Sequence, residues 1–312
     1  MYRITIRLFL FCCLVMLLTS CAGATNTSPT KSVPSTTSPP SPTLTSPTAT
    51  PSSAPQHYTA HVILRGVDHP DDLVFDNQGR LIFSDARSGL IGRLEANGSV
   101  TVLLRGLAVP EGLVVLKDGT LIIAEQGPNR ILALAPGATT PRILRVLPGT
   151  PSTVRCKDGV DGIALDPTND TLIIPDSPTG AVYRMSLNGQ TLTLLASGIT
   201  RPVGAAVDPQ GTVYVADECG GALWTIAADG KTTRIGGFGM LDDVVLDTHG
   251  NVLVTDLAPA IHALIRLNLA TGRRETLASR GYIEPQGLVL GPHDSIYLSD
   301  DFADVIVQYV PA

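Results

Sequence analysis

The chain has 312 residues and a formal charge of −6, with 44% hydrophobic, 16% charged and 4% aromatic residues. A chain this acidic is unsuited to wrapping a polyphosphate backbone, which needs clustered Lys and Arg, so nucleic acid is excluded as a partner. Thirty Gly and 24 Pro suit a fold with many turns rather than long helices.

The first 20 residues read as an export signal: Arg3 and Arg7, then an unbroken apolar run over residues 8–18. Such a run is too short to span a bilayer but suits a signal core. Leu18-Thr19-Ser20-Cys21 follows and matches the bacterial lipobox, a branched apolar residue and two small ones before Cys. The match implies cleavage before Cys21, lipidation there and an extracytoplasmic protein anchored to the bacterial cell membrane. Residues 25–55 hold 17 Ser or Thr and eight Pro in 31 positions. No core forms from that composition, so residues 21–55 are expected to be a lipidated Cys and a solvated linker.

From residue 56 the chain repeats. Six copies begin at 70, 110, 160, 202, 241 and 285, so the spacings are 40, 50, 42, 39 and 44. The first copy shows the unit: Pro70-Asp71-Asp72-Leu73, a turn at Gly79, Leu81-Ile82-Phe83, then Asp85. Each copy holds four short apolar runs separated by turn residues. Four strands at this period predict an all-β, six-bladed β-propeller of four-stranded blades over residues 56–312. The sixth copy stops after a third strand at 305–310. Residues 59–65 resemble the fourth strand of other copies and are expected to close the last blade, removing an open sheet edge.

The stretch Pro110-Glu111-Gly112-Leu113 through Arg130-Ile131 resembles an NHL repeat. Asp161-Gly162-Ile163-Ala164-Leu165-Asp166 resembles the metal-site strand of the senescence-marker-protein/gluconolactonase family. The resemblance covers residues 56–312 and implies the propeller fold. It is weak for activity, because one architecture hosts hydrolases, lyases and pure binding proteins.

Two acid positions recur. Asp85, Glu125, Asp176, Asp217, Asp256 and Asp300 close the second strand of every copy. What every blade carries serves every blade, so these carboxylates are expected to accept backbone N–H groups from the following turn and the neighbouring blade. The second position holds Asp71, Glu111, Asp161, Val203, Asp242 and Gln286, converging at the channel mouth. Converging carboxylates raise one another's pKa unless a cation intervenes. An all-oxygen set favours a hard divalent ion: Ca2+ before Mg2+ or Mn2+. The family resemblance points the same way. Asp161 matches its motif best and Glu111 next, whereas Asp71 and Asp242 are followed by Asp72 and Asp243 instead of Gly. The metal ligands are therefore expected to be Asp71, Glu111, Asp161, Asp242 and Gln286, with Asp161 the catalytic candidate and Val203 an apolar substrate wall.

The longest insertion, residues 148–158, should lie on the mouth face. There Arg155 and Lys157 would meet an anionic substrate group or balance the acids. Removing Cys12 and Cys13 and lipidating Cys21 leaves Cys156 and Cys219, on one face of adjacent blades and a candidate disulfide. His69 lies nearest the mouth, where a loop His is ordinarily plain polar surface. No nucleophile elbow or zinc-protease helix is present. Two functions remain open. One is a metal-dependent lactone or ester hydrolase acting on a small molecule. The other is a non-catalytic, monomeric propeller that binds a surface protein or glycan.

Overall fold

The computed structural model describes residues 57–312; the signal, the lipobox with Cys21 and the linker to residue 55 lie outside them. Six four-stranded antiparallel sheets make six blades, and the chain has only one short 3-10 turn, Pro292–Asp294, among the described residues. The innermost strands are Pro70–Phe75, Pro110–Val115, Ala164–Asp166, Pro202–Val207, Leu241–Leu246 and Pro285–Leu290. Each innermost strand contacts those of both neighbours, which closes the ring. Tyr58–Arg65 pairs antiparallel with Val305–Pro311 and completes the last blade, as the repeat count requires.

The blades bury their faces against one another. One apolar cluster fills each of the six seams, such as Ile122, Ile131, Leu172 and Ile174 between blades two and three. The second strands carry unbroken apolar runs because both of their faces are covered; Ile122, Ile123, Ile173 and Ile174 have no exposed surface. Burial of this kind contributes roughly 1.5–3 kcal/mol per large side chain relative to exposure.

The acids closing the second strands are 0–3% exposed. All six accept an N–H from the connection into their own innermost strand, and Asp85, Asp217, Asp256 and Asp300 accept another from the following turn. Asp217 takes Arg201 N at 3.0 Å and Gly220 N at 2.9 Å; Asp300 takes Ile283 N, Glu284 N and Ala303 N. The neighbouring blade supplies a donor at Asp176, where Asn129 Nδ2 donates at 2.8 Å.

The position after each mouth residue faces the following blade. A Cβ on Gly287 would lie 2.4 Å from the Asp71 carbonyl oxygen, so that seam admits only glycine. Asp72 and Asp243 use a different solution. Asp72 accepts Leu113 N of blade two at 2.6 Å, and Asp243 accepts Leu288 N of blade six at 2.7 Å. The two residues that depart from the repeat therefore latch two seams through their carboxylates.

Candidate functional site

The mouth residues occupy the second position of the innermost strand in five blades. In blade three the regular strand begins only at Ala164, so Asp161 sits in the approach to it, where its carbonyl accepts Gly112 N at 3.2 Å. The ring geometry brings one carboxylate oxygen each of Asp71, Glu111 and Asp161 within 4.8 Å of one another. Asp242 and Gln286 complete the ring beside them; with its amide oriented to donate, Gln286 bonds Asp242 at 2.9 and 3.1 Å. Glu111 accepts Gln126 Nε2 at 2.6 Å.

Charge dominates this arrangement. Burial first, then the charge of Asp161 and other carboxylates, pushes the carboxyls of Asp71, Glu111 and Asp242 well above the ordinary range. Burial also raises Asp72, and raises Asp243 to about 7 against the N–H bonds from Leu288 and Val244. Asp161 is raised by burial but opposed by Arg201. The Arg201 guanidinium donates to Asp161 at 3.1 Å and Asp158 at 3.3 Å and pairs with Glu218. Burial works against its charge, yet Asp161, Asp158 and Glu111 outweigh this and raise its pKa. One guanidinium is thus shared among more carboxylates than it can neutralise.

Cys156 and Cys219 are joined in a disulfide. It ties the insertion to blade four, and the residues beside it, Asp158 and Glu218, bracket Arg201. A cavity of about 210 Å³ lies here, lined by Ser152, Arg155, Asp158, Arg201, Glu218 and the disulfide. Arg155 is exposed at this cavity. Lys157 is turned away and donates to the Pro178 carbonyl at 3.1 Å, so the two cations do not act as a pair. Val203 requires a correction. It has no exposed surface and packs with Leu223, Leu241 and Val244 in the seam between blades four and five, so it offers no wall to a ligand. Its apolar character serves the ring, not the mouth. His69 is buried, pairs with Asp301 and meets the edge of the Phe302 ring at 4.9 Å.

Below the acids the central channel holds about 360 Å³, lined mainly by apolar side chains such as Val74, Ile163, Val245 and Leu288, with Asp72 and Asp243. Sequence reasoning missed Arg201, Gln126, Glu218 and Asp301. The repeat register carried the signal. Arg201 immediately precedes the opening Pro202 of its copy, and the other three immediately follow the strand-closing acid. Those two columns ring the mouth.

No protein-family profile matches the chain, and no curated protein does. Solved structures do. A putative gluconolactonase is 17% identical with a TM-score of 0.66, over 83% of this chain and 93% of that one. A gluconolactonase of Xanthomonas campestris is 16% identical with a TM-score of 0.66, over 82% and 90%. A streptogramin B lyase is 13% identical with a TM-score of 0.62, over 82% and 98%. The likeness lies in the propeller, at identities that speak for the fold and not for a reaction.

Proposed function

We propose that the mouth binds one divalent cation, calcium before magnesium or manganese, and that the protein hydrolyses a small lactone or ester there. The observation that carries this reading is the convergence of Asp71, Glu111 and Asp161 within 4.8 Å, Glu111 and Asp161 buried and Asp71 half-buried, with too little positive charge to balance them. The donors are all oxygens, which fits a hard ion. Asp71, Glu111 and Asp161 would hold it, with Asp242 and Gln286 beside them. When bound, such an ion polarises a carbonyl and acidifies a water.

The chain's own residues do the rest. Asp161 would accept the proton of the water whose oxygen bonds the carbonyl carbon, and return it to the ring or ester oxygen as that C–O bond breaks. Arg201 favours the ionised form of Asp161 against its burial and fixes its direction. Gln126 fixes the direction of Glu111 through its amide hydrogen bond. The similarity to gluconolactonases supports a hydrolase on this fold, and the similarity to a lyase marks the alternative reaction class.

The proposal extends to location. The signal-like residues 1–20 and the lipobox at Cys21 support a protein held at the outer face of the bacterial cell membrane, as a monomer. A Cys156–Cys219 disulfide suits that oxidising compartment. The test is elemental analysis after equilibration with trace calcium and magnesium, followed by a lactone and ester screen. One retained equivalent, reduced in Asp161→Asn together with loss of hydrolysis, is the expected result. Retention of no ion, or full turnover by Asp161→Asn, overturns the mechanism.

A further inference from the structure

Among the described residues, ten large apolar side chains are substantially exposed, and they are not scattered evenly. Five lie on the outermost strands of the blades. The other five lie on mouth-side connections: Val109 (37%), Val154 (66%), Ile261 (38%), Ile283 (54%) and Phe302 (54%). The turns at the opposite end carry none. Only Ile283 and Phe302 share a blade, and there two exposed apolar side chains bordered by carboxylates give a partner an apolar foothold with a polar rim.

Carboxylates outnumber cations in the polar centre, and the charge of Arg87 reaches Asp301 from the rim. Inside the rim lie the carboxylates of Asp71, Glu111, Asp161, Asp242, Glu284 and Asp301, against the fixed charge of Arg201. The insertion with Arg155 and Lys157 sits over blades three and four, across the ring from blade six. Blade six combines both features. Ile283 and Phe302 flank the same buried acid, since Asp300 accepts Ile283 N at 2.8 Å and Ala303 N at 3.0 Å. Between them stand Glu284 and Asp301, joined by a backbone bond from Asp301 N to Glu284 O at 3.0 Å. The Glu284 carboxylate makes no side-chain hydrogen bond or ion pair among the described residues. His69, its side chain 9% exposed, pairs through Nδ1 with Asp301 and leaves Nε2 without a partner.

We propose that this face binds a cationic, apolar peptide segment. A Lys or Arg side chain enters between Glu284 and Asp301, and its apolar neighbours lie on Phe302 and Ile283. Charge complementarity selects the cation, and the exposed ring beside the carboxylates adds a cation–π surface for it. The proposal does not depend on a metal at the mouth or on any turnover.

Two fluorescein-labelled peptides of equal charge test it against the full-length protein by anisotropy, in chelator-treated buffer at physiological salt. One alternates Leu and Lys, the other Ser and Lys. The Leu–Lys peptide is expected to bind about tenfold tighter, because buried apolar anchors dominate such contacts. The double variant F302S/I283S should reduce it to the Ser–Lys level, and Glu284→Gln should weaken it several-fold. All three residues are partly exposed, so the variants keep the fold, which an unchanged Tm verifies. Equal affinity of wild type for the two peptides overturns the proposal, as does undiminished Leu–Lys binding in F302S/I283S or in Glu284→Gln.

Discussion

Arg201→Met is the most informative perturbation of the mouth. It removes the guanidinium and keeps most of its volume. Arg201 is 8% exposed and holds Asp161 and Glu218, whose side chains are 8% and 11% exposed, and Asp158, which is 44% exposed. The half-exposed Asp158 pair is worth little, because water screens it. Stripping the partner from the two buried carboxylates costs about 3–5 kcal/mol, the range for breaking a buried ion pair from one side. For a domain of this size that lowers Tm by roughly 6–20 °C. The penalty depends on pH with a definite sign. A carboxyl without its counter-ion has a pKa raised above its unfolded value, so protonation relieves the cost at low pH. The gap to wild type therefore widens as pH rises from about 5 to 8. Thermal melts at pH 5 and pH 8 in chelator-treated buffer read this directly. Added calcium should recover more Tm in the variant than in wild type, since it replaces the missing charge. A variant that melts within 2 °C of wild type at pH 8 would refute the electrostatic account of the mouth.

Three further outcomes follow from the same structure. The raised carboxyls of Asp71, Asp72, Glu111 and Asp242, and Asp243 at about 7, contribute stability that is complete below the unfolded carboxyl range near 4 and lost as pH climbs through their folded values. In chelator the wild-type Tm should fall between about pH 5 and pH 8, and calcium should flatten that slope; a Tm flat over this range without calcium contradicts the raised values. Deleting residues 57–66 removes the partner of Val305–Pro311 and opens a sheet edge, so the product should melt earlier or aggregate in light scattering. An unchanged Tm would mean the ring closes without that strand. Non-reducing mass spectrometry should find Cys156 and Cys219 in one crosslinked peptide pair, and two free thiols would remove the tie on the insertion.

The repeat made most of the architecture legible. A second strand buried on both faces needs an apolar run, its mouth-side turn needs an acid to collect N–H groups, and the period counts the strands. The unpaired third strand at the C-terminus then required residues 59–65, because an open edge is unfavourable. The mouth acids were legible for the same reason, as one column of the repeat. Val203 was misread because a column shows where a residue sits along a strand and not which neighbour it faces. Asp72 and Asp243 looked like added charge. Only the ring shows each one reaching a specific N–H on the next blade.

What the sequence determined by itself is everything that repeats: blade number, strand order, closure and the converging acids. These follow from local pattern, which each blade states again. The features that break the symmetry arise from packing across the ring. Arg201 joins residues 40 apart when it bonds Asp161, and the apolar rim gathers side chains from four blades. Neither is written in any single repeat. Electrostatic balance and surface patches depend on distances across the ring, and those exist only once the six seams have packed.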